Sequence, residues 1–378
     1  MKAIDVDRHY VFSDSGLKSA ATIWQQSSAL GIDTEFIRVD TFHPRPALIQ
    51  VSNGLECWLI DILEINDLSP LHEIITAPHI IKIVHAAGED MEVFDRLLGV
   101  LPEPLFDTQI GAAFCSHGAS IGYSKLVQAI LEIEISKDQC RSDWLARPLT
   151  DEQQHYACLD VLYLPALFTH LNNELHRLQR TDWAAEENLR QIARYRDQRD
   201  ASYNMERVTN AWRLDEIERK RLWNLVLGRD ALAREYNKPR NHIAKDFALF
   251  EMAQRPPKHI AELSNMEGLR SSGIRQFGNS LIQLAQNVPQ DLVYPLLAEP
   301  LSKLENEHLK RLRAVTEQVA TSHHVPPEIL ARKIELEQLV RQYFLQRDAG
   351  KIIMPGRFSG WRHAVITKAL QDEIASWN

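Results

Sequence analysis

Between Thr34 and Leu63 three short apolar runs, TEFIRV, ALIQV and CWLIDI, are separated by the polar stretches DTFHPRP and SNGLE. Runs of this length, rich in β-branched and aromatic residues and bounded by Pro, Asn and Gly, predict strands, and links this short predict antiparallel pairing. The period then changes. It predicts a helix from about Ser69 to Thr76, a strand over HIIKIVHA, a helix opening near Gly88, and helices through LFDTQIGAAFCS and YSKLVQAILEI. From Thr150 the pattern is helical, with Thr150 or Asp151 as the cap and Pro165 placed to kink or interrupt it. Strands followed by β-α alternation imply a mixed sheet with helices against it, an α/β domain ending near Tyr195.

Beyond Tyr195 no strand pattern remains. RDQRDASYN, charged and without apolar period, reads as a linker over 196–204. A helical block follows to about Leu281, and QNVPQDLVYP separates it from another reaching Asn378. The two blocks repeat weakly at a period of about 90. RKRL at 219–222 faces LKRL at 309–312, and Pro239 and Leu249 face Pro326 and Leu336 once a gap of about three residues is allowed. Duplication of a helical module is the expectation.

Composition narrows the function classes. With 378 residues, 44% hydrophobic and 25% charged, the chain is typical of a globular protein of two or three domains. No apolar run approaches the roughly 18 residues of a membrane span, and the N-terminus lacks a signal-peptide pattern, so a cytoplasmic location is expected. Four cysteines without a C-x-x-C pair predict reduced, buried thiols rather than zinc or disulfides. The net charge of −8 is unevenly spread: 1–195 holds 15 Lys+Arg against 28 Asp+Glu, whereas 205–281 holds 14 against 10. The first part is acidic and the first helical block mildly basic.

Some of that acidity sits in an unexpected place. In GIDTEF, Asp33 and Glu35 are two apart on a strand and share a face. Carboxylates about 4 Å apart repel by roughly 4 kcal/mol at an effective dielectric near 20. An exposed edge would relieve this, but the flanking LGI and FI are apolar, so either a cation or a proton must compensate. Glu89 and Asp90 follow a strand end in the first turn of a helix, where the helix dipole alone would account for them. Tyr156 and Asp160 are spaced i, i+4 and are neighbours on a helix face, as ordinary packing would also allow.

Order and context unite these signals. IDTEF, HAAGEDMEVF and YACLD, with the intervening ALIQVSN, LFDTQIGAAF and SDWLARPLTDEQQHYACLDVLYL, resemble the bacterial ribonuclease D family, in the tyrosine-bearing subgroup of the DEDD 3′-to-5′ exonucleases. The resemblance implies an RNase H-like α/β exonuclease domain in which Asp33, Glu35, Asp90 and Asp160 are the metal-binding acids. It also implies that Tyr156 orients the attacking water, which leaves His85 and His155 as structural residues. Oxygen-only donors suit Mg²⁺ or Mn²⁺, and two such ions are the implied cofactors.

The implied activity is release of 5′-mononucleotides from RNA 3′ ends, in maturation of transfer RNA and other stable RNAs. A DNA 3′ exonuclease of proofreading or helicase-associated type is the alternative, disfavoured by the lack of polymerase or helicase motifs. An inactive RNA-binding scaffold is a second, disfavoured because all four acids and the tyrosine are present.

The segment 229–268 resembles an HRDC domain through the spacing of Ala231, Pro239, Ile243, Leu249, Pro257, Leu263 and Gly268, and the last block resembles a divergent second copy. The expected organisation is therefore an exonuclease domain over 1–195, a linker over 196–204, and two small all-α HRDC-type domains over 205–285 and 286–378. RNA is the expected partner of a monomer, with Arg234, Lys238, Arg240 and Lys245 as candidate phosphate contacts.

Overall fold

The computed structural model describes residues 7–135, 142–198, 205, 208–294, 297–345 and 353–377. It divides into two compact units, one of Met1–Ile37, Pro46–Ala193 and Leu301–Asn378, the other of Arg38–Arg45 and Arg194–Pro300.

A six-stranded sheet centres the first unit: β1 (Asp7–Val11), β2 (Ala29–Ile37), β3 (Arg45–Ser52), β4 (Glu56–Ile60), β5 (Ile81–Val84) and β6 (Leu105–Asp107), in the order β1-β4-β3-β2-β5-β6. The expected antiparallel link holds for β3 with β4, while β1 runs parallel to β4 and β5 parallel to both β2 and β6. β2 is thus an interior strand rather than the first, which explains its apolar flanks. The edge strand β1 escapes the hydrophobic pattern because only Val11 among its five residues is fully buried. β6, expected as helix, is three buried residues, too few to show a period.

The helices of this unit are α1 (Asp14–Trp24), α2 (Ser69–Thr76), α3 (Gly88–Leu98), α4 (Thr108–Phe114), α5 (Tyr123–Leu131), α6 (Asp151–Leu162), α7 (Leu164–Arg177) and α8 (Thr181–Gln198). A capping box of Thr150 and Gln153 starts α6, as expected of that threonine. Pro165 lies in the first turn of α7, so it restarts the helix after a break at Tyr163. Of the expected linker, 196–198 complete α8 and 199–204 lie outside the described residues. Cys57, Cys115 and Cys158 are buried free thiols; Cys140 lies outside the described residues. No described helix is long and apolar enough to cross a membrane.

The second unit holds α9 (Glu216–Glu235), α10 (Arg240–Ile243), α11 (Asp246–Gln254), α12 (Ile260–Leu263) and α13 (Ser271–Gln286) around their own apolar core. The last block supplies α14 (Lys303–His323), α15 (Pro327–Leu330), α16 (Lys333–Leu345) and α17 (Lys368–Ala375). The repeat between the blocks is closer than the sequence pattern indicated. A constant offset of 87 relates the capping boxes opened by Asp215 and Ser302, the left-handed residues Asn237 and His324, and the prolines Pro239 and Pro326. No gap is needed, since the buried Leu222 and Leu225 correspond to Leu309 and Leu312. Aligning RKRL with LKRL slips the helix by three residues, which preserves its face and therefore looks plausible in sequence.

The expected boundary at 286 does not delimit a separate body. Leu312, Leu339, Phe358, Trp361 and Ile366 join Phe114, Leu171 and Ala184 of the exonuclease part in one apolar cluster. Trp361 stacks on Trp183 with centroids 4.7 Å apart, and Arg362, fully buried, pairs with Glu187. Arg362 also donates to the carbonyls of Ile329 and Leu330.

Candidate active site

Asp33 and Glu35 project from β2, and Asp160 reaches them from α6 because β2 carries glycine at position 31. A Cβ there would lie 2.8 Å from the Val161 carbonyl oxygen and 2.9 Å from Leu164 Cβ. Lacking one, the α6–α7 junction settles directly on the strand. Gly31→Ala is accordingly expected to cost about 1–3 kcal/mol of stability and, in the folded fraction, about tenfold or more in kcat. A kcat equal to wild type would show that this close approach does not set Asp160.

Asp33, Glu35 and Asp160 each offer a carboxylate oxygen within 4.8 Å of the others. Asp90, in the first turn of α3, stands outside that group but close enough that its charge acts on both Asp33 and Glu35. Thr34 Oγ1 donates to Asp90 Oδ1 at 2.5 Å. Tyr156 hydrogen-bonds the Asp160 carboxylate one turn away on α6. The structure therefore gathers all five residues expected at the site.

This concentration of charge is costly without a counter-ion. Burial, then the neighbouring carboxylates, push Asp33 well above the usual carboxylate range and Glu35 up to about 9. Burial raises Asp160 to about 7 against the opposing Tyr156 hydrogen bond, and Asp90 to about 6 against that of Thr34. Among the described residues, every side-chain charge acting appreciably on Asp33 and Glu35 is another carboxylate. An oxygen-only donor set, with no cation among the described residues to neutralise it, fits a hard divalent ion.

Supporting residues went unread in the sequence. Asp107, 1% exposed, accepts from the backbone N–H of Ala86 at 2.9 Å, Ala87 at 3.1 Å and Gln109 at 2.8 Å. It thereby holds the turn in which Ala86 takes a left-handed φ of 60° just before Asp90. Asp107 lies in a segment read as helix, and Thr34 separates two more conspicuous acids, so neither drew notice. His85 is occupied structurally: its ring nitrogens face Thr108 Oγ1 at 2.9 Å and the Ile121 carbonyl at 3.0 Å. His155 is half-buried on α6.

The candidate phosphate contacts are differently placed. Arg234 and Arg240 both pair with the buried Asp230 and sit 4.8 Å and 4.6 Å from the Phe42 ring centroid. Their charges are largely committed within the second unit. Lys245 is exposed beside Phe247 and Lys238 is half-exposed. A cavity of about 300 Å³ in this unit is lined by Arg38, Phe42, Arg229, Arg240 and Asp246, among others. Arg229 is paired there with Asp246, and none of the clustered acids lines the cavity.

Comparison with known proteins agrees with this geometry. A 3′-5′ exonuclease family profile matches residues 9–176 and an HRDC domain profile matches 218–285. Ribonuclease D of Pseudomonas paraeruginosa is 36% identical over 370 residues, covering 97% of both chains. Ribonuclease D of Escherichia coli is 33% identical over 378 residues, covering 97% of this chain and 98% of its own. The crystal structure of E. coli RNase D, described as an exoribonuclease involved in structured RNA processing, superimposes with a TM-score of 0.86, covering 98% of this chain and 100% of the other at 31% identity. With full-length relatives on both measures and the acidic cluster lying inside the exonuclease match, the chain belongs to the ribonuclease D family and is a 3′-to-5′ exoribonuclease.

Proposed function

We propose that Asp33, Glu35, Asp90 and Asp160 hold two divalent ions, Mg²⁺ or Mn²⁺, at the 3′-terminal phosphodiester of an RNA, and that 5′-mononucleotides are released one at a time. The observation that carries this reading is the meeting of Asp33, Glu35 and Asp160 within 4.8 Å with, among the described residues, only carboxylate charge acting on Asp33 and Glu35. Four carboxylates balance two divalent cations. Such ions supply an activated water and stabilise charge on the scissile phosphate and leaving 3′ oxygen.

The protein's own groups orient and exclude. Thr34 donates to Asp90 and restrains the orientation of its carboxylate. Tyr156 hydrogen-bonds the Asp160 carboxylate; a phenol is a poor base at neutral pH, so its role is that of a hydrogen-bonding guide for the nucleophilic water. Tyr156→Phe is expected to lower kcat by about 10²-fold while leaving the Mn²⁺ affinity within about threefold, by titration calorimetry. A loss of affinity as large as that of Asp33→Ala would contradict this role.

The substrates we propose are precursor transfer RNA and other structured RNAs with single-stranded 3′ ends. A sequence-neutral exonuclease must hold backbone rather than read bases, and the basic helical unit suits that task. Lys238 and Lys245 are the better contacts, because Asp230 offsets Arg234 and Arg240. The constant 87-residue offset supports reading 286–378 as a divergent HRDC copy that now shares the exonuclease core. Digestion of a 3′-extended transfer RNA with Mg²⁺ or Mn²⁺ tests the proposal. Stepwise shortening is expected, with faster decay of RNA than of a matched DNA end. Equal rates on both would favour a general nuclease.

A further inference from the structure

The segment from Ser142 to Thr150 leads into α6 and carries Trp144, 2% exposed, whose ring lies 6.1 Å from that of Tyr156 with the planes tilted by 36°. Its position is fixed by Arg147. The Arg147 Nη1 donates to the carbonyls of Trp144 at 2.7 Å and Ala146 at 2.9 Å. The Nη2 donates to the Ala47 carbonyl on β3 at 2.9 Å and to Asp61 Oδ1 at 2.7 Å, and Nε donates to Asp61 Oδ2 at 2.5 Å. A guanidinium has five N–H groups, and all five are placed by these contacts.

Asp61 is built to receive them. It directly follows β4, is 1% exposed, and also accepts from the Tyr10 hydroxyl and from the Leu63 N–H at 3.2 Å. A buried, bidentate arginine–carboxylate pair of this kind is directional, and a lysine cannot reproduce its fork. The pair thus joins β3, the end of β4 and the approach to α6 at one point. Neither residue belongs to the acidic cluster or to the expected RNA contacts.

We propose that Asp61 and Arg147 form a positioning clamp for the exonuclease reaction, seating Trp144 against Tyr156 so that the tyrosine hydroxyl is aimed at the nucleophilic water. The inference rests on the proposed role of Tyr156 and adds two residues that act through it. The ring of Trp144 is a wall. Without the clamp the approach to α6 loosens, the wall recedes, and Tyr156 gains rotational freedom that the Asp160 hydrogen bond alone does not remove. Small displacements of an orienting group lower turnover without weakening substrate binding.

A double-mutant cycle tests this, using the full-length protein, Mn²⁺ and a labelled oligoribonucleotide. Arg147→Lys is expected to lower kcat by about tenfold with KM within about twofold, and to cost less than about twofold when Tyr156 is already phenylalanine. A tenfold cost that persists in the Tyr156→Phe background, an effect confined to KM, or an unchanged kcat would each overturn the clamp. If Arg147→Lys does not fold, Asp61→Asn, which keeps the shape of the carboxylate and removes its charge, enters the same cycle with the same expectation. A second readout needs no activity: 3-fluorotyrosine at position 156 should show a shifted or broadened ¹⁹F resonance in the clamp variant. An unaltered resonance contradicts the clamp, whereas a shifted resonance in the variant, combined with a wild type that fails to degrade RNA, would count against the catalytic reading alone.

Discussion

Asp33→Asn is expected to reduce mononucleotide release by about 10³-fold or more while making the metal-free protein more stable. The two effects share one cause. Burial and three neighbouring carboxylates hold Asp33 far above its usual range, so its ionised form is a standing cost in the absence of metal. A neutral isostere removes that cost, worth about 1–2 kcal/mol or roughly 2–6 °C in Tm. The sign of the pH dependence follows. The folded carboxyls titrate higher than the unfolded ones, Glu35 at about 9 against 4.5 and Asp160 at about 7 against 3.8, so between those limits the folded state binds more protons. Stability of the metal-free wild type should therefore fall through this term as pH rises from about 5 to 9. Mn²⁺ displaces those protons and should stabilise more strongly across the same window. Calorimetry in chelator at about pH 6 and pH 8.5 checks this. A variant less stable than wild type at the higher pH would contradict it.

Removing 301–378 is expected to have the second large effect, on folding itself. If that block were a detachable RNA-binding arm, the remainder would keep its stability and lose only affinity for folded RNA. Its contacts say otherwise. Deletion uncovers Phe114, Trp183 and Ala184, removes the stack of Trp361 on Trp183, and leaves Glu187 without Arg362. Burial raises the Glu187 pKa, but hydrogen bonding and attraction from Arg362 overcome this and keep it below the usual range; the truncation removes Arg362 and Arg357 and leaves only the longer 3.6 Å contact with Arg190. Fully burying a large apolar side chain is worth about 1.5–3 kcal/mol, and domains are stable by only about 5–15 kcal/mol. The truncated chain should melt at least about 10 °C lower or fail to fold, by circular dichroism. An unshifted Tm would show that the last block is an independent module.

The proposed site was legible in the sequence through the order of three motifs, IDTEF, HAAGEDMEVF and YACLD, and through a conflict of charge with surroundings at the first of them. Two acids on a strand with apolar flanks demand compensation, and i, i+4 spacing on α6 fixes Tyr156 beside Asp160 whatever the tertiary fold. What escaped notice depends on contacts distant in sequence. β1 reads as polar because it is an edge strand, and its place beside β4 follows from pairing. Gly31 looks like an ordinary strand interruption until the α6–α7 junction is seen against it. Asp107 and Asp61 look like surface acids, yet each is 1% exposed and holds a turn or an arginine. Arg234 and Arg240 looked like free phosphate contacts because the sequence does not reveal that Asp230 lies between them. The second helical block was recognised as a repeat, but its merger with the exonuclease core depends on Trp361 and Arg362 meeting partners about 175 residues away.

The central claim is that Asp33, Glu35, Asp90 and Asp160 share divalent ions. Anomalous diffraction from a crystal grown with Mn²⁺, collected at the manganese edge, tests it most directly. Two peaks about 3.5–4 Å apart, bounded by those four carboxylates, are the predicted result. Peaks bound elsewhere, or none at this cluster when the ion saturates activity, would contradict it.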